Sequence, residues 1–257
     1  MKLIVHPNFA SLRDGIALLA SNFETQGTVL YNKRNQVRLV EVDGTSLVVK
    51  RFKHLSAWRA FIYRYLRRSK AQRAYENALH LLQLGFNTPD PVAWMRAGRY
   101  YYYICMPSMK RSVKDELVLS SPYNTKLVEP YAQYVAQLHE SGVLHRDCNP
   151  SNVLYEKPQD GTAYSFELID INRMRFYEER PVPKRACIKN LCTLFWEPKG
   201  VFEEVVKAYA DARGWPADDY EKIMRAKKRS NKSYARGKHF AHPIHYLRSL
   251  LNAKSIS

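Results

Sequence analysis

Cysteine is sparse and unpatterned. The four residues Cys105, Cys148, Cys187 and Cys192 form no C-x-x-C and no regular framework. That excludes a disulfide-stapled secreted scaffold and leaves reduced thiols in a cytosolic protein. Long apolar runs are also missing: nothing approaches the ~20 residues of a spanning helix. The opening Met1-Lys2-Leu3-Ile4-Val5-His6-Pro7 holds too short an apolar stretch for a secretion signal. These absences predict a chain made and kept in the cytosol. Internal repeats and low-complexity linkers are absent. Acidic side chains are few, 24 against 41 Lys and Arg, for a formal charge of +17. That balance points to an anionic partner (nucleic acid, phosphorylated glycolipid or membrane surface) or to a basic solvated face, and does not choose among them.

What is present has ordinary globular proportions. The chain of 257 residues, 46% hydrophobic and 25% charged, suits one two-lobed domain or two small ones.

The chemistry concentrates in His145-Arg146-Asp147-Cys148-Asn149-Pro150-Ser151-Asn152, followed by Leu168-Ile169-Asp170. An H-R-D, an Asn five residues beyond its Asp, and an apolar strand ending in a second Asp form the layout of a protein-kinase-like catalytic loop and metal-binding strand. Phosphoryl transfer needs a hydroxyl held in line and magnesium to neutralise phosphate charge. Asp147 is the candidate to orient that hydroxyl and accept its proton. Asn152 and Asp170 are the candidate oxygen ligands for magnesium, one neutral and one charged. Asn152 to Tyr155 reads as a strand, Pro158 to Thr162 as a turn and Phe166 to Ile169 as the returning strand, which would bring Asn152 and Asp170 together. An isolated H-R-D tripeptide would be weak; the three spacings together carry the reading.

The flanking segments agree. Thr28 to Tyr31, Gln36 to Val42 and Ser46 to Phe52 read as a meander, with a turn over Asn32 to Asn35 and a hairpin signal at Asp43-Gly44. Lys50 on the third strand is the candidate phosphate grip, with Lys53 as a register rival. Residues 56–67 read as an amphipathic helix with Arg59, Arg64, Arg67 and Arg68 on its basic face, suited to core contact or to an anionic surface. Ser69 to Leu84 reads as a helix with a Ser69/Gln72 capping box and Gly85 as its stop. Glu76, its sole acidic residue, is the candidate partner of Lys50. Val92 to Met95 and Tyr101 to Met106 read as strands, the second an edge strand running into a hinge at Cys105, Met106 and Pro107 where adenine would meet backbone groups. Lys126 to Ser141 reads as a helix ended by Gly142, as do 185–196 and 201–213. The tail over 222–238 is dense in Lys and Arg. His239, His242 and His245 recur every three residues, but Pro243 interrupts any helix and a metal site there is disfavoured.

With these residues assembled, the chain resembles the lipopolysaccharide kinase family, over roughly residues 25–250. The likeness rests on Lys50, on the helix from Ser69 to Gly85, on Thr88-Pro89-Asp90-Pro91, on His145 to Leu154, and on Leu168-Ile169-Asp170-Ile171-Asn172-Arg173. It implies an α+β, two-lobed protein-kinase-like fold, with a small antiparallel sheet lobe over 1–107 and a larger, mostly helical lobe over 108–257. It implies ATP and Mg2+ as cofactors. By position, Asp147 would be the catalytic base, Asn152 and Asp170 the metal ligands, and Lys50 with Glu76 the phosphate grip. The implied substrate is a Kdo or heptose hydroxyl of the lipid A-linked core, reached by peripheral contact with the anionic cytoplasmic membrane face, with no nucleic acid. The chain departs from protein kinases in lacking G-x-G-x-x-G before the third strand, Phe-Gly after Asp170, and A-P-E. These absences argue against a kinase regulated through an activation loop. Two rival readings stand beside this one: an atypical kinase for a protein or small molecule, and a non-catalytic basic binding protein.

Overall fold

The computed structural model describes residues 1–33, 35–52, 68–157, 163–194 and 200–241, with 232–241 described as backbone alone. The meander closes where the sequence places it. Strands β1 (Lys2–Val5), β2 (Thr28–Asn32), β3 (Asn35–Val42), β4 (Thr45–Phe52), β5 (Pro91–Ala97) and β6 (Tyr100–Cys105) form one antiparallel sheet in the order β1-β5-β6-β4-β3-β2. Asp43 and Gly44 both take positive φ, 49° and 76°, as a two-residue hairpin whose twist matches its strands requires.

Alternation along β4 assigns its residues to opposite faces. Leu47 and Val49 join Ile16 and Leu19 of helix α1 (Arg13–Asn22) in one core. Phe52 joins Ala71, Ala74 and Tyr75 of α2 (Lys70–Gln83) in another, with Trp94, Tyr103 and Cys105. The sheet is thus covered on both faces. Lys50 lies on the Phe52 face and Arg51 on the other, where it stacks 4.4 Å from the Phe23 ring and ion-pairs with Glu24.

The helical half is built around α3 (Val128–Glu140) and α5 (Val201–Ala212), whose Tyr131, Val135, Leu138, Val205 and Tyr209 share its core. Two short sheets border the site. β7 (Arg111–Ser112), β9 (Val153–Glu156) and β10 (Ser165–Leu168) form one, and β8 (Val143–Leu144) pairs with β11 (Arg175–Phe176). α4 (Lys184–Leu191) and α6 (Ala217–Ala241) complete this half. No described helix is long and apolar enough to cross a membrane.

Four expectations change. β6 is an interior strand, because β5 and β1 extend the sheet beyond it. The α2 cap is half a capping box: Ser69 Oγ accepts from the Gln72 amide at 3.0 Å, but the Gln72 side chain donates to Glu76 at 2.9 Å. In the basic tail, Lys227 is buried and donates to the Cys192 carbonyl at 3.0 Å, so it caps the C-terminal end of α4 and does not face solvent. Residues 1–22 supply a strand and a helix that the sequence reading leaves unassigned. The helix over 56–67, Lys53, the turn over 158–162 and the side chains of His239, His242 and His245 lie outside the described residues.

Candidate active site

Lys50 crosses from the sheet to the helical half. Its Nζ donates to Asp170 Oδ1 at 2.7 Å, and Asn172 Nδ2 donates to the same oxygen at 2.6 Å. Asp170 takes φ 55°, a left-handed conformation uncommon for a residue with a side chain. Such strain persists where surrounding contacts fix it, and here β10, Lys50 and Asn172 hold the carboxylate in place.

The hairpin of β9 and β10 does what its spacing predicts. Val153 pairs with Leu168, and the Ile169 amide donates to the Asn152 carbonyl at 3.0 Å. Asn152 and Asp170 therefore face one space. Asn152 Nδ2 donates to the Asp147 carbonyl at 2.9 Å, which fixes the amide and leaves Oδ1 as the atom on offer. The same carbonyl accepts from the Asn149 amide at 2.7 Å, so the loop from Asp147 to Asn152 is internally tied. His145 is buried, and burial pushes its pKa below the ordinary value. As a neutral ring it donates from Nε2 to the Ile169 carbonyl at 3.0 Å and accepts at Nδ1 from the Asp147 amide at 3.3 Å. It links the Asp147 loop to the Asp170 segment.

A cleft of about 470 Å³ opens between the halves, within the range of small-molecule sites. Val37, Val48, Cys105, Met106, Leu154 and Ile169 give it apolar walls, and Lys50, Asn152 and Asp170 make one end polar. Burial pushes the Cys105 thiol up to about 12, so it is an uncharged wall at neutral pH. Two expected grips fall elsewhere. Glu76 accepts from Arg68 and from Gln72, both at 2.9 Å, and Lys50 pairs with Asp170 instead. The reason is helical phase. Tyr75 occupies the sheet-facing side of α2, and the next residue points about 100° away. Pro107 lines a neighbouring hollow and not the cleft. The Met106 amide already donates to the Asp90 carbonyl at 2.9 Å, so Met106 meets the cleft by other atoms.

Comparison with known proteins agrees with this geometry. The model of the lipopolysaccharide kinase (Kdo/WaaP) family matches residues 106–226, which include Asp147, Asn152 and Asp170. Over that stretch the chain is similar to the lipopolysaccharide kinase family. A solved structure, "WaaP in complex with acyl carrier protein", is similar over 91% of this chain and 100% of that one, with 21% identity and a TM-score of 0.59. That similarity shows the fold, which is α+β and kinase-like. No curated protein matches the chain by sequence.

The donor set of this site fits magnesium. Asn152 Oδ1 and the Asp170 carboxylate are hard oxygens. Among the described residues no three His, Cys, Asp or Glu are grouped to hold a metal ion, so an ion here would complete its shell with phosphate and water, as magnesium prefers. The sequence reading passes over three supporting groups. Thr88 Oγ1 donates to the Leu168 carbonyl at 2.7 Å and pins β10 to the sheet half. Asn190 Nδ2 donates to the His145 carbonyl at 2.8 Å. His139 donates from Nε2 to Asn190 Oδ1 at 3.1 Å and accepts at Nδ1 from the Tyr209 hydroxyl at 2.8 Å. Burial lowers the His139 pKa to about 4, which keeps it neutral in this chain of contacts. Of these, only Thr88 falls in a stretch that the resemblance already marks.

Proposed function

We propose that this protein transfers the γ-phosphoryl group of Mg-ATP to a sugar hydroxyl, on Kdo or heptose, of the lipopolysaccharide inner core at the cytoplasmic membrane face. The observation that carries the reading is the convergence of Lys50, Asn152 and Asp170 at one end of an apolar-walled cleft, in a chain matched to lipopolysaccharide kinases.

Adenine occupies the apolar end, between Val37, Val48 and Leu154. Lys50 holds the α- and β-phosphates, and Asp170 keeps the Lys50 ammonium aimed along the cleft. Asn152 and Asp170 would hold magnesium, which when bound would supply neutralisation of charge on the phosphates. Asp147 orients the acceptor hydroxyl and takes its proton as the oxygen attacks phosphorus and the bond to ADP breaks. His145 and Asn152 keep the Asp147 backbone at its place through the amide and carbonyl contacts. The rest of the catalytic power is positioning and electrostatics, as in phosphoryl transfer generally. The charge of +17 suits an anionic lipid-borne substrate. The similar WaaP structure contains acyl carrier protein; co-purification of this chain with a carrier protein would extend that association to it.

The test is incubation with Mg-ATP and either Kdo–lipid A or its heptosylated form, followed by mass spectrometry of the lipid. A phosphorylated product from one acceptor supports the proposal and names the sugar. Unchanged lipid in both reactions, with ATP bound, refutes the substrate assignment.

A further inference from the structure

Beside the nucleotide cleft lies a second, smaller hollow of about 280 Å³ that the phosphoryl-transfer reading leaves without a role. It is lined by Asn35, Phe52, Lys70, Arg73, Asp170, Asn172 and Arg173. Asn35 and Asp170 line the cleft as well, so the hollow adjoins the phosphate end and not the adenine end. Its lining holds three cations and one carboxylate, and that carboxylate already receives Lys50 and Asn172. The two guanidiniums, Arg73 and Arg173, outnumber it without Lys70, so positive charge is in excess among the lining residues. The cations come from two elements: Lys70 and Arg73 from α2, and Arg173 from the turn after Asp170. Arg73 Nε donates to the Asn172 carbonyl at 3.2 Å, which ties the two elements together and limits how far the hollow can open. A planar guanidinium is the side chain suited to recognising a carboxylate or phosphate by paired hydrogen bonds.

We propose that this hollow is an anion subsite for the acceptor: it takes a carboxylate or phosphate carried on the sugar substrate beside the reacting hydroxyl. The inference deepens the proposed function and rests on it for the word acceptor. It selects an acidic or phosphorylated sugar over a neutral one. Kdo carries a carboxylate; unsubstituted heptose does not.

The test is calorimetric and needs no turnover. The protein is saturated with a non-hydrolysable ATP analogue and magnesium. Free Kdo, its methyl ester, glucose 1-phosphate and glucose are then titrated separately. At least one of the anions is expected to bind about tenfold or more tightly than its neutral counterpart, which tells the carboxylate source from the phosphate source. The Arg173→Gln and Lys70→Gln variants are expected to lose that preference while binding the ATP analogue as wild type does. The proposal is overturned if neither anion is preferred, if both variants keep the preference, or if inorganic phosphate binds as tightly as the sugar anions. A weakened affinity for the ATP analogue in Arg173→Gln, with sugar binding unchanged, would assign the hollow to the nucleotide and also overturn it. Failure of the lipopolysaccharide reading shows separately, as anion-selective sugar binding by wild type without phosphate transfer to Kdo–lipid A or its heptosylated form.

Discussion

Asp170 is the residue at which the two halves of the molecule meet. Its carboxylate accepts Lys50 from the sheet and Asn172 from its own turn, in a left-handed backbone conformation that costs energy unless it is held. The Lys50 contact is a charge-assisted hydrogen bond between partly buried groups, and such bonds contribute about 1.5–3 kcal/mol. Lys50→Gln is therefore expected to lower kcat/KM for ATP by about 10- to 100-fold, with kcat and KM measured under steady-state conditions. An unchanged kcat/KM would remove Lys50 from the nucleotide grip. The residues bearing charge in the middle of a defined motif were legible in sequence, because spacing alone fixes them. Glu76 was not. Its role depended on the rotational phase of α2 against the sheet, and the buried Tyr75 sets that phase. Pro107 lies outside the cleft for a related reason: where the backbone turns after β6 is decided by the Met106 amide bond to Asp90, just before the neighbouring strand β5.

Elements rather than single residues hold the Asp147 loop in place. Thr88 joins the loop after α2 to β10, and the buried pair His139 and Asn190 joins α3 and α4 to the His145 carbonyl. Thr88→Val removes one buried hydrogen bond and is expected to cost about 1 kcal/mol. For a chain of this size that corresponds to a fall in Tm of about 2–4 °C, read by calorimetry. His139 adds a pH dependence whose sign is fixed. Its folded pKa of about 4 lies below the unfolded 6.5, so its contribution is complete above pH 6.5 and is lost as pH falls toward 4. The total is about 3 kcal/mol. Denaturant unfolding at pH 7 and pH 5 should show a smaller difference in His139→Phe than in wild type; equal differences would contradict the assignment. The strands and helices themselves were largely legible, since period-2 and period-3.6 patterns and the stops at Asp43-Gly44, Gly85 and Gly142 are local signals. The N-terminal β1 and α1 were passed over although Ile16, Leu19 and Phe23 recur at helical spacing, because a short helix gains its stability from the sheet it covers. Sheet order was not legible at all: β6 is interior because it pairs with β4 on one side and β5 on the other, and β5 is flanked in turn by β1 from the far N-terminus.

At the scale of the whole molecule, the sheet half and the helical half enclose a cleft with a polar end, and the chain carries a charge of +17. A basic protein that acts on a lipid-borne anion is expected to bind anionic vesicles and to release them as salt rises, since the Debye length shrinks to about 3 Å at 1 M. Flotation with vesicles of phosphatidylglycerol and of phosphatidylcholine, at low and high salt, measures this. Retention on neutral vesicles alone would contradict an electrostatic attachment. Net charge was fully legible in sequence, whereas its distribution was not: Lys227 looks like part of a basic tail and instead is buried beneath the chain at Cys192 and Leu194. The central claim is that the Asp147 loop and the Asp170 strand together move phosphate from ATP to a lipopolysaccharide sugar. Its most direct test is transfer of labelled γ-phosphate from Mg-ATP to Kdo–lipid A and to the heptosylated core, comparing wild type with Asp147→Ala and Asp170→Ala. The account predicts label in the lipid with wild type and a loss of about 100- to 10,000-fold or more in each variant, with circular dichroism unchanged. Label incorporated equally by either variant would contradict it.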